Sequence, residues 1–179
     1  LKAHGIRAAI FDVDGVLTDG QLYIGAEGET LKAFSSLDGH GLKLLQQGGI
    51  EPIVITGRDS AAVRRRLADL GLTHCAFGVS DKLAVAEALL ANLGLGWNAI
   101  AAMGDDWPDL PLLTRAAFAC APPQAHAEVR ALSHHVTSAA AGFGAARECC
   151  DLLLCAAGRY AGLLAGHLTT LEQGGVSGP

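Results

Sequence analysis

Two aspartates stand one residue apart where the first apolar segment of the chain ends. The segment IRAAIF (residues 6–11) is followed directly by Asp12-Val13-Asp14-Gly15. At about 4 Å, two like unit charges repel by about 4 kcal/mol at an effective dielectric constant of about 20. A bound cation would relieve such repulsion. Paired carboxylates are typical of sites that hold a divalent cation or that transfer protons during a reaction.

Hydroxyl, cationic and acidic groups follow three later apolar segments. The tripeptides TGR (56–58), SDK (80–82) and GDD (104–106) each come after an apolar run. Each tripeptide by itself is commonly a turn or a helix cap. Because all of them follow apolar segments in the same way as Asp12 and Asp14, the pattern indicates one shared site. The first stretch fits no EF-hand, since Val16 and Leu17 occupy ligand and glycine positions, and no P-loop motif occurs.

The elements that must position these groups alternate along the chain. Apolar runs predict strands at residues 6–11, 50–56, 74–79, 98–104, 117–121 and 134–138. Helix-spaced apolar residues predict helices at 41–49, 59–71, 80–94, 109–116, 123–132 and 144–168. We expect Ser80 to cap the third helix, Gly158 to break the last one, and His40 to lie in a turn. Two short runs at 21–25 and 29–34 predict a β-hairpin.

This alternation predicts an α/β fold, a Rossmann-like parallel sheet with helices on both faces. We expect one domain over residues 1–168, a small hairpin insertion at about 20–35, and a mobile tail at 169–179. Ligands of such sheets bind at the carboxyl ends of the strands. The acidic, hydroxyl and cationic groups above should therefore meet at one edge of the sheet.

Composition narrows the classes of function. The net charge of −5 argues against a general nucleic-acid binder, and no apolar run approaches the ~20 residues of a membrane span. Nothing at the start has the pattern of a signal peptide. The five cysteines have no zinc-type spacing and fit buried free thiols. We therefore expect a cytoplasmic protein that binds neither nucleic acid nor membrane.

Four motifs resemble those of the haloacid dehalogenase superfamily of phosphotransferases: DxDG at 12–15, TGR at 56–58, Lys82, and GDDxxD at 104–109. More narrowly, the chain up to about His167 is similar to the 3-deoxy-D-manno-octulosonate 8-phosphate phosphatase family. The segments that carry this resemblance are FDVDGVLTDG, LKAF, DGHGLKLL, RRRLADLG, GDDWPDLPLL and GFGAARE. The resemblance implies a magnesium-dependent phosphatase of lipopolysaccharide precursor biosynthesis that works through an aspartyl-phosphate.

The resemblance also implies catalytic roles. Asp12 would attack phosphorus, and Asp14 would be the general acid and then the general base. Thr56 would hydrogen-bond a phosphoryl oxygen, and Lys82 would neutralise charge in the transition state. An acidic residue at position 14 favours a phosphatase or mutase over an ATPase.

The same resemblance implies a Mg²⁺ site. Asp12, the backbone carbonyl of Asp14, and Asp105 would be the protein ligands, a set of oxygens that suits a hard cation. Asp106 and Asp109 would orient Lys82 or a metal-bound water. For these last two residues, capping of the following helix is the alternative role.

Substrate contacts follow from the resemblance as well. The implied substrate-binding residues are Asp14, Ser35, Ser36, Leu37, Asp38, Gly39, Lys43, Arg58, Arg66 and Lys82. Arg58 favours this family over phosphatases of sialic acid-type 9-phosphates, which carry Glu after Thr-Gly. The chain departs from the family at Leu37, where many members have Arg, and at Ala141, where a glycine is usual.

The motif spacing leaves no room for a cap domain, either between Asp14 and Thr56 or between Thr56 and Lys82. Since catalysis benefits from excluding water, another subunit would have to cover the site. The resemblance implies a homotetramer in which hairpins pair and neighbours complete each site, with Tyr23, Ile24 and Phe34 at the interface. The alternatives are a hairpin that packs on its own domain, a phosphomutase, and a catalytically silent oligomerisation module.

Overall fold

A computed structural model describes residues 2–173 and contains a six-stranded parallel sheet and a separate two-stranded hairpin. The strands are β1 (Ala8–Phe11), β2 (Tyr23–Gly25), β3 (Gly28–Leu31), β4 (Glu51–Ile55), β5 (His74–Ala76), β6 (Ile100–Met103), β7 (Phe118–Ala121) and β8 (His135–Val136). The helices are α1 (Ser36–Gln47), α2 (Ala61–Asp69), α3 (Lys82–Leu93), α4 (Leu110–Arg115), α5 (Ala127–Leu132), α6 (Ala145–Ala156) and α7 (Tyr160–Gln173). The order in the sheet is β5-β4-β1-β6-β7-β8, and β2 pairs with β3 in the hairpin.

The sheet is buried on both faces, as its continuous apolar strands require. Phe11 packs into the cluster that contains residues of α1, α2 and α6, while Ile10 packs on the opposite side with residues of α3, α4 and α5. Burial of one such side chain contributes about 1.5–3 kcal/mol. The two clusters hold β1 at the centre of the sheet, so the predicted α/β fold is confirmed. Between β1 and α3, the described residues add only the hairpin to the alternating elements, and the fold has no cap domain.

Several helices begin at other residues than the sequence predicts; α5, for example, begins at Ala127 and not at residue 123. Helix α1 begins at Ser36 and not near residue 41, because the Ser35 hydroxyl accepts hydrogen bonds from the backbone N–H groups of Leu37 and Asp38. His40 therefore lies in a helix and not in a turn. Asp81, and not Ser80, caps α3, since its Oδ1 lies 3.1 Å from the backbone nitrogens of Leu83 and Ala84.

The C-terminal helices are separated at Gly158, as predicted, where φ is +69°. Helix α7 continues to Gln173, past the expected domain boundary at 168, and Thr169 Oγ1 donates to the backbone carbonyl of Ala165 (3.2 Å). The rest of the expected tail, 174–179, lies outside the described residues. Among the described helices, none by itself has the length and apolarity to cross a membrane. Residues 145–156 and 160–169 meet that criterion only as a pair bent by 106°.

Candidate active site

Asp12 and Asp14 follow the central strand at its carboxyl end. The backbone N–H of Asp12 donates to Met103 O (3.1 Å), so Asp12 still belongs to the hydrogen-bonding ladder and its side chain is nearly buried. The chain then turns at Gly15, where φ is +84°. A Cβ atom at that position would lie 2.1 Å from Asp105 Oδ2. Glycine is therefore required for the turn and also for the close approach of Asp105.

Lys82 reaches the same place from the first turn of α3. Its Nζ lies 2.8 Å from Asp12 Oδ1 and 2.7 Å from Asp109 Oδ1, and its side chain is 6% exposed. Burial alone would lower the pKa of Lys82, but the two carboxylates outweigh it and raise the pKa above its usual value. Lys82 is therefore a fixed ammonium that joins β1 to the loop after β6.

The loop after β6 supplies three aspartates. Asp109 Oδ2 accepts hydrogen bonds from the backbone N–H groups of Asp105 (3.1 Å) and Asp106 (3.4 Å), and the Asp106 side chain completes a capping box. A Cβ atom on Gly104 would lie 2.4 Å from Asp109 Cβ, so the loop can fold this tightly only with glycine there. Asp106 thus has the capping position that the sequence left as an alternative, and Asp109 both caps and contacts Lys82.

Thr56 completes the crevice from the end of β4. It is 1% exposed, and its Oγ1 accepts a hydrogen bond from the backbone N–H of Arg58 (3.3 Å). The crevice measures about 290 Å³ and is lined by residues of all four predicted motifs. Arg58 also lines it, and its Nε lies 3.9 Å from Asp14 Oδ2. The structure therefore brings side chains from all four motifs together at one edge of the sheet.

The buried carboxylates have too few cations near them to balance their negative charge. Burial, followed by repulsion from Asp109, raises the pKa of Asp12 to about 6. Burial, followed by repulsion from Asp12, raises the pKa of Asp105 to about 7. One oxygen from each of Asp12, Asp105 and Asp109 lies within 4.8 Å of the others. Lys82 alone does not balance these charges at neutral pH.

The donor set fits a hard divalent cation. Asp12 Oδ1 is buried with the Lys82 ammonium 2.8 Å away, and within the described part of the chain it has no hydrogen bond of regular geometry. Both oxygens of Asp109 already have partners, so Asp12 and Asp105 are the carboxylates best placed to share an ion. Mg²⁺ is held by few carboxylates together with water and phosphate oxygens, as this arrangement permits.

The other predicted substrate contacts lie away from this crevice. Ser35, Asp38, Gly39 and Arg66 line a separate, much smaller cavity between α1 and α2. The buried carboxylate of Asp38 accepts hydrogen bonds from the backbone N–H groups of Gly144 (3.2 Å) and Arg147 (2.8 Å) at the start of α6. The remaining three, Ser36, Leu37 and Lys43, are exposed on α1. Contact of these residues with substrate stays a prediction.

Sequence reasoning missed Lys32 and Glu29, two charged residues near the crevice. Lys32, just after β3, forms an ion pair with Asp14 Oδ1, and Glu29 of β3 lies beside both Lys32 and Arg58. Charged residues on a short hairpin usually face solvent, so their types gave no signal. The one available indication was the segment LKAF, which carries part of the family resemblance but suggested no role for Lys32.

The fold and the site define a haloacid dehalogenase-like hydrolase, and the sequence model of that family matches residues 77–147. The chain is 43% identical to the 3-deoxy-D-manno-octulosonate 8-phosphate phosphatase KdsC of Escherichia coli K12 over 158 residues. The matched residues make up 88% of this chain and 84% of that relative. The chain belongs to the 3-deoxy-D-manno-octulosonate 8-phosphate phosphatase family.

Two solved structures show how closely the fold is shared. The phosphatase of this family from Moraxella catarrhalis, in complex with magnesium, phosphate and KDO, has a TM-score of 0.89 and 40% identity, covering 93% of this chain and 95% of that one. A probable YrbI family phosphatase from Pseudomonas syringae has a TM-score of 0.90 and 44% identity, with the same two coverages. The similarity therefore extends over nearly the whole of both chains.

Proposed function

We propose that this chain is a magnesium-dependent phosphatase that hydrolyses 3-deoxy-D-manno-octulosonate 8-phosphate to the free sugar acid and inorganic phosphate, in lipopolysaccharide precursor biosynthesis. The observation that carries the proposal is the buried Lys82 ammonium between Asp12 and Asp109, with Asp105 alongside. This arrangement offers a nucleophile and a fixed cation to one phosphoryl group. Family membership and the sugar acid in the complex of the Moraxella relative support the substrate.

The first half of the reaction transfers the phosphoryl group to the protein. A carboxylate oxygen of Asp12 forms a bond to phosphorus while the bond from phosphorus to the sugar oxygen breaks. The electron pair of the breaking bond stays on the sugar oxygen, which takes a proton from Asp14. Lys82 Nζ lies 2.8 Å from Asp12 Oδ1, so its charge lies beside the oxygens on which negative charge develops. Thr56 donates its hydroxyl hydrogen to a phosphoryl oxygen.

The second half releases the phosphate. Asp14, now ionised, takes a proton from water as the water oxygen attacks phosphorus, and the bond to Asp12 breaks. Inorganic phosphate leaves, and Asp12 and Asp14 regain their starting states. When bound, Mg²⁺ would supply the positive charge that draws a phosphate dianion to an acidic crevice, with Asp12, the Asp14 backbone carbonyl and Asp105 holding it.

The substrate and the cofactor are tested together. Purified protein is assayed for phosphate release from 3-deoxy-D-manno-octulosonate 8-phosphate and from a sialic acid-type 9-phosphate, with Mg²⁺ and with a chelator. We expect release from the first ester at least about tenfold faster in kcat/KM, and no release after chelation until Mg²⁺ is restored. Preference for the 9-phosphate would favour the alternative substrate, against which Arg58 argues. No release from any ester would favour a silent oligomerisation module.

We further propose that the protein is a homotetramer in which hairpins pair and neighbouring subunits complete each site. Tyr23 and Ile24 are largely exposed on the hairpin, and so is Leu31, which makes a surface that a second copy would bury. Phe34, the third residue predicted at the interface, packs instead against the core of its own domain.

Lys43 is exposed on α1 and lies away from its own crevice, so it could serve a neighbour's. Arg66 donates a hydrogen bond to Ser35 O (3.5 Å) and is only partly exposed. The five cysteines, all within described residues, are free thiols, which suits a reducing cytoplasm.

The hairpin interface is tested by Ile24→Lys. Ile24 is 62% exposed, and burying a lysine there at an apolar interface would be costly, so we expect a smaller species and at least about a tenfold loss of activity. Sedimentation velocity and phosphate release measure the two effects. Leu168→Lys, at a leucine that is 58% exposed on α7, is the matched control and should change neither. A fully active Ile24→Lys monomer would refute shared sites.

A further inference from the structure

A lysine outside the four motifs has a buried side chain that contacts Asp14. The Lys32 side chain is only 1% exposed although it follows a surface hairpin, and its ammonium contacts Asp14 Oδ1. Glu29 Oε2 lies 3.3 Å from the same ammonium. An ammonium removed from water is costly unless carboxylates compensate. The contact with Asp14 is therefore part of a built arrangement and not a loose surface ion pair.

Glu29 fixes this lysine and one predicted substrate residue together. Its Oε2 lies 3.2 Å from Arg58 Nη2, and its Oε1 accepts a hydrogen bond from the Ser60 hydroxyl (2.7 Å) just before α2. Glu29 is thus held from the α2 side, and in turn holds Lys32 and Arg58. Two acids and two cations, Asp14 and Glu29 with Lys32 and Arg58, form one network at the rim of the crevice.

The network distinguishes the two oxygens of Asp14. Oδ1 is occupied by Lys32, whereas Oδ2 lies 3.9 Å from Arg58 Nε and has no closer cation among the described residues. A carboxylate can otherwise rotate and exchange its two oxygens. With Oδ1 held, Oδ2 is the oxygen that remains to give a proton to the leaving group. Catalytic groups displaced by about 1 Å can lose about 100-fold in rate, so such control of orientation matters.

We propose that Lys32, held by Glu29, is a positioning residue that fixes the Asp14 carboxylate for proton transfer to the leaving group. The inference rests on the proposed function, which gives Asp14 that role. It makes the hairpin a part of the catalytic machinery as well as an association surface, since β3 carries Glu29 and leads directly into Lys32. Lys32 touches Asp14 and not the phosphoryl group, so its effect should depend on how much the leaving group needs a proton.

The test compares Lys32→Met with the parent on phenyl phosphate and 4-nitrophenyl phosphate. Neither ester carries a sugar, so contacts of Arg58 with a sugar acid do not enter, and kcat/KM reports the steps up to departure of the leaving group. Phenolate needs protonation far more than 4-nitrophenolate. We expect kcat/KM to fall about 10- to 100-fold for phenyl phosphate and by less than about threefold for 4-nitrophenyl phosphate.

Glu29→Gln keeps the test decisive if Lys32→Met does not fold. It should lower kcat/KM much more for phenyl phosphate than for 4-nitrophenyl phosphate. Glu27→Gln, an identical change at an exposed residue of the same hairpin, should change neither value. Equal losses on both esters, or no loss, would overturn the positioning role. That result, obtained while the parent hydrolyses the octulosonate phosphate, would leave the proposed function intact. A parent inactive on the sugar phosphate would instead remove the proposed function.

Discussion

Asp12→Asn is expected to lower kcat by at least about 10⁴-fold while leaving the protein folded and at least as stable as the parent. An amide does not attack phosphorus, and loss of a nucleophile from a catalytic unit costs about this much or more. Burial and the neighbouring Asp109 raise the pKa of Asp12 to about 6, so the ionised carboxylate is unfavourable in the metal-free fold. The amide has the same shape and no charge to desolvate. Phosphate release and thermal unfolding in chelator measure the two effects.

Asp69→Asn is the matched control for this variant. Asp69 is an exposed acid on α2 that pairs with Arg65, and its replacement should change neither turnover nor stability measurably. The two variants should also differ in how much Mg²⁺ raises their free energy of unfolding. At about 100 times the dissociation constant, a bound ion stabilises by about 2.7 kcal/mol, and Asp12→Asn should lose most of that gain. Normal turnover by Asp12→Asn would refute the assignment of Asp12 as the nucleophile. If the variant failed to fold, the Asp12 carboxylate would be required for folding.

The sequence alone was sufficient to predict the edge of the sheet where the site lies. Apolar runs such as residues 6–11 and 98–104 predict buried parallel strands, and parallel strands all end on the same edge. Asp12 and Asp105, at the ends of neighbouring strands, therefore had to come close. Lys82 likewise follows a predicted strand, whereas Asp109 was implied only by the family resemblance, and the structure places them 2.7 Å apart between Nζ and Oδ1. Residues that follow parallel strands in the sequence therefore lie close together in the structure.

Local rules failed where tertiary packing decided the backbone. Gly39 argues against a helix and lay outside the predicted one, which began at Gly41, yet both glycines lie inside α1. A Cβ atom on Gly39 would lie 2.3 Å from Arg66 Nη2, and one on Gly41 would lie 3.1 Å from Arg147 Cα. The glycines are there because other elements approach α1 closely, a reason that no local pattern contains. The cost of glycine in a helix, about 1 kcal/mol, is small beside such packing.

The Lys32 contact was beyond prediction for a different reason. No sequence pattern between residues 14 and 32 predicts how the hairpin folds back over the strand ends, since its two strands pair with each other and not with the six-stranded sheet. Only the folded chain brings the Lys32 ammonium to Asp14 and the Glu29 carboxylate to Arg58. Contacts across a loop whose path is set by packing leave no periodic or motif signal.

Lys82→Met is the second variant with a large expected effect, because it should damage both activity and stability. Cations that stabilise a transferring phosphoryl group contribute about 10³- to 10⁵-fold to kcat, and we expect a loss in that range. The variant also leaves the buried carboxylates of Asp12 and Asp109 without the ammonium that lies 2.8 and 2.7 Å from them. Breaking a buried ion pair in this way costs about 3–5 kcal/mol. Urea unfolding in chelator measures this cost.

The double variant Asp12→Asn/Lys82→Met separates the two effects. It removes one of the two orphaned carboxylates, so it should recover part of the stability that Lys82→Met loses, while remaining inactive. Mg²⁺ should also partly restore the stability of Lys82→Met, because the ion can replace the missing charge beside Asp12 and Asp105. Lys2→Met removes an exposed lysine near His134, far from the crevice, and should behave as the parent. Full stability of Lys82→Met in chelator would mean that Asp12 and Asp109 do not depend on this lysine, and recovery of activity in the double variant would contradict the charge-neutralising role.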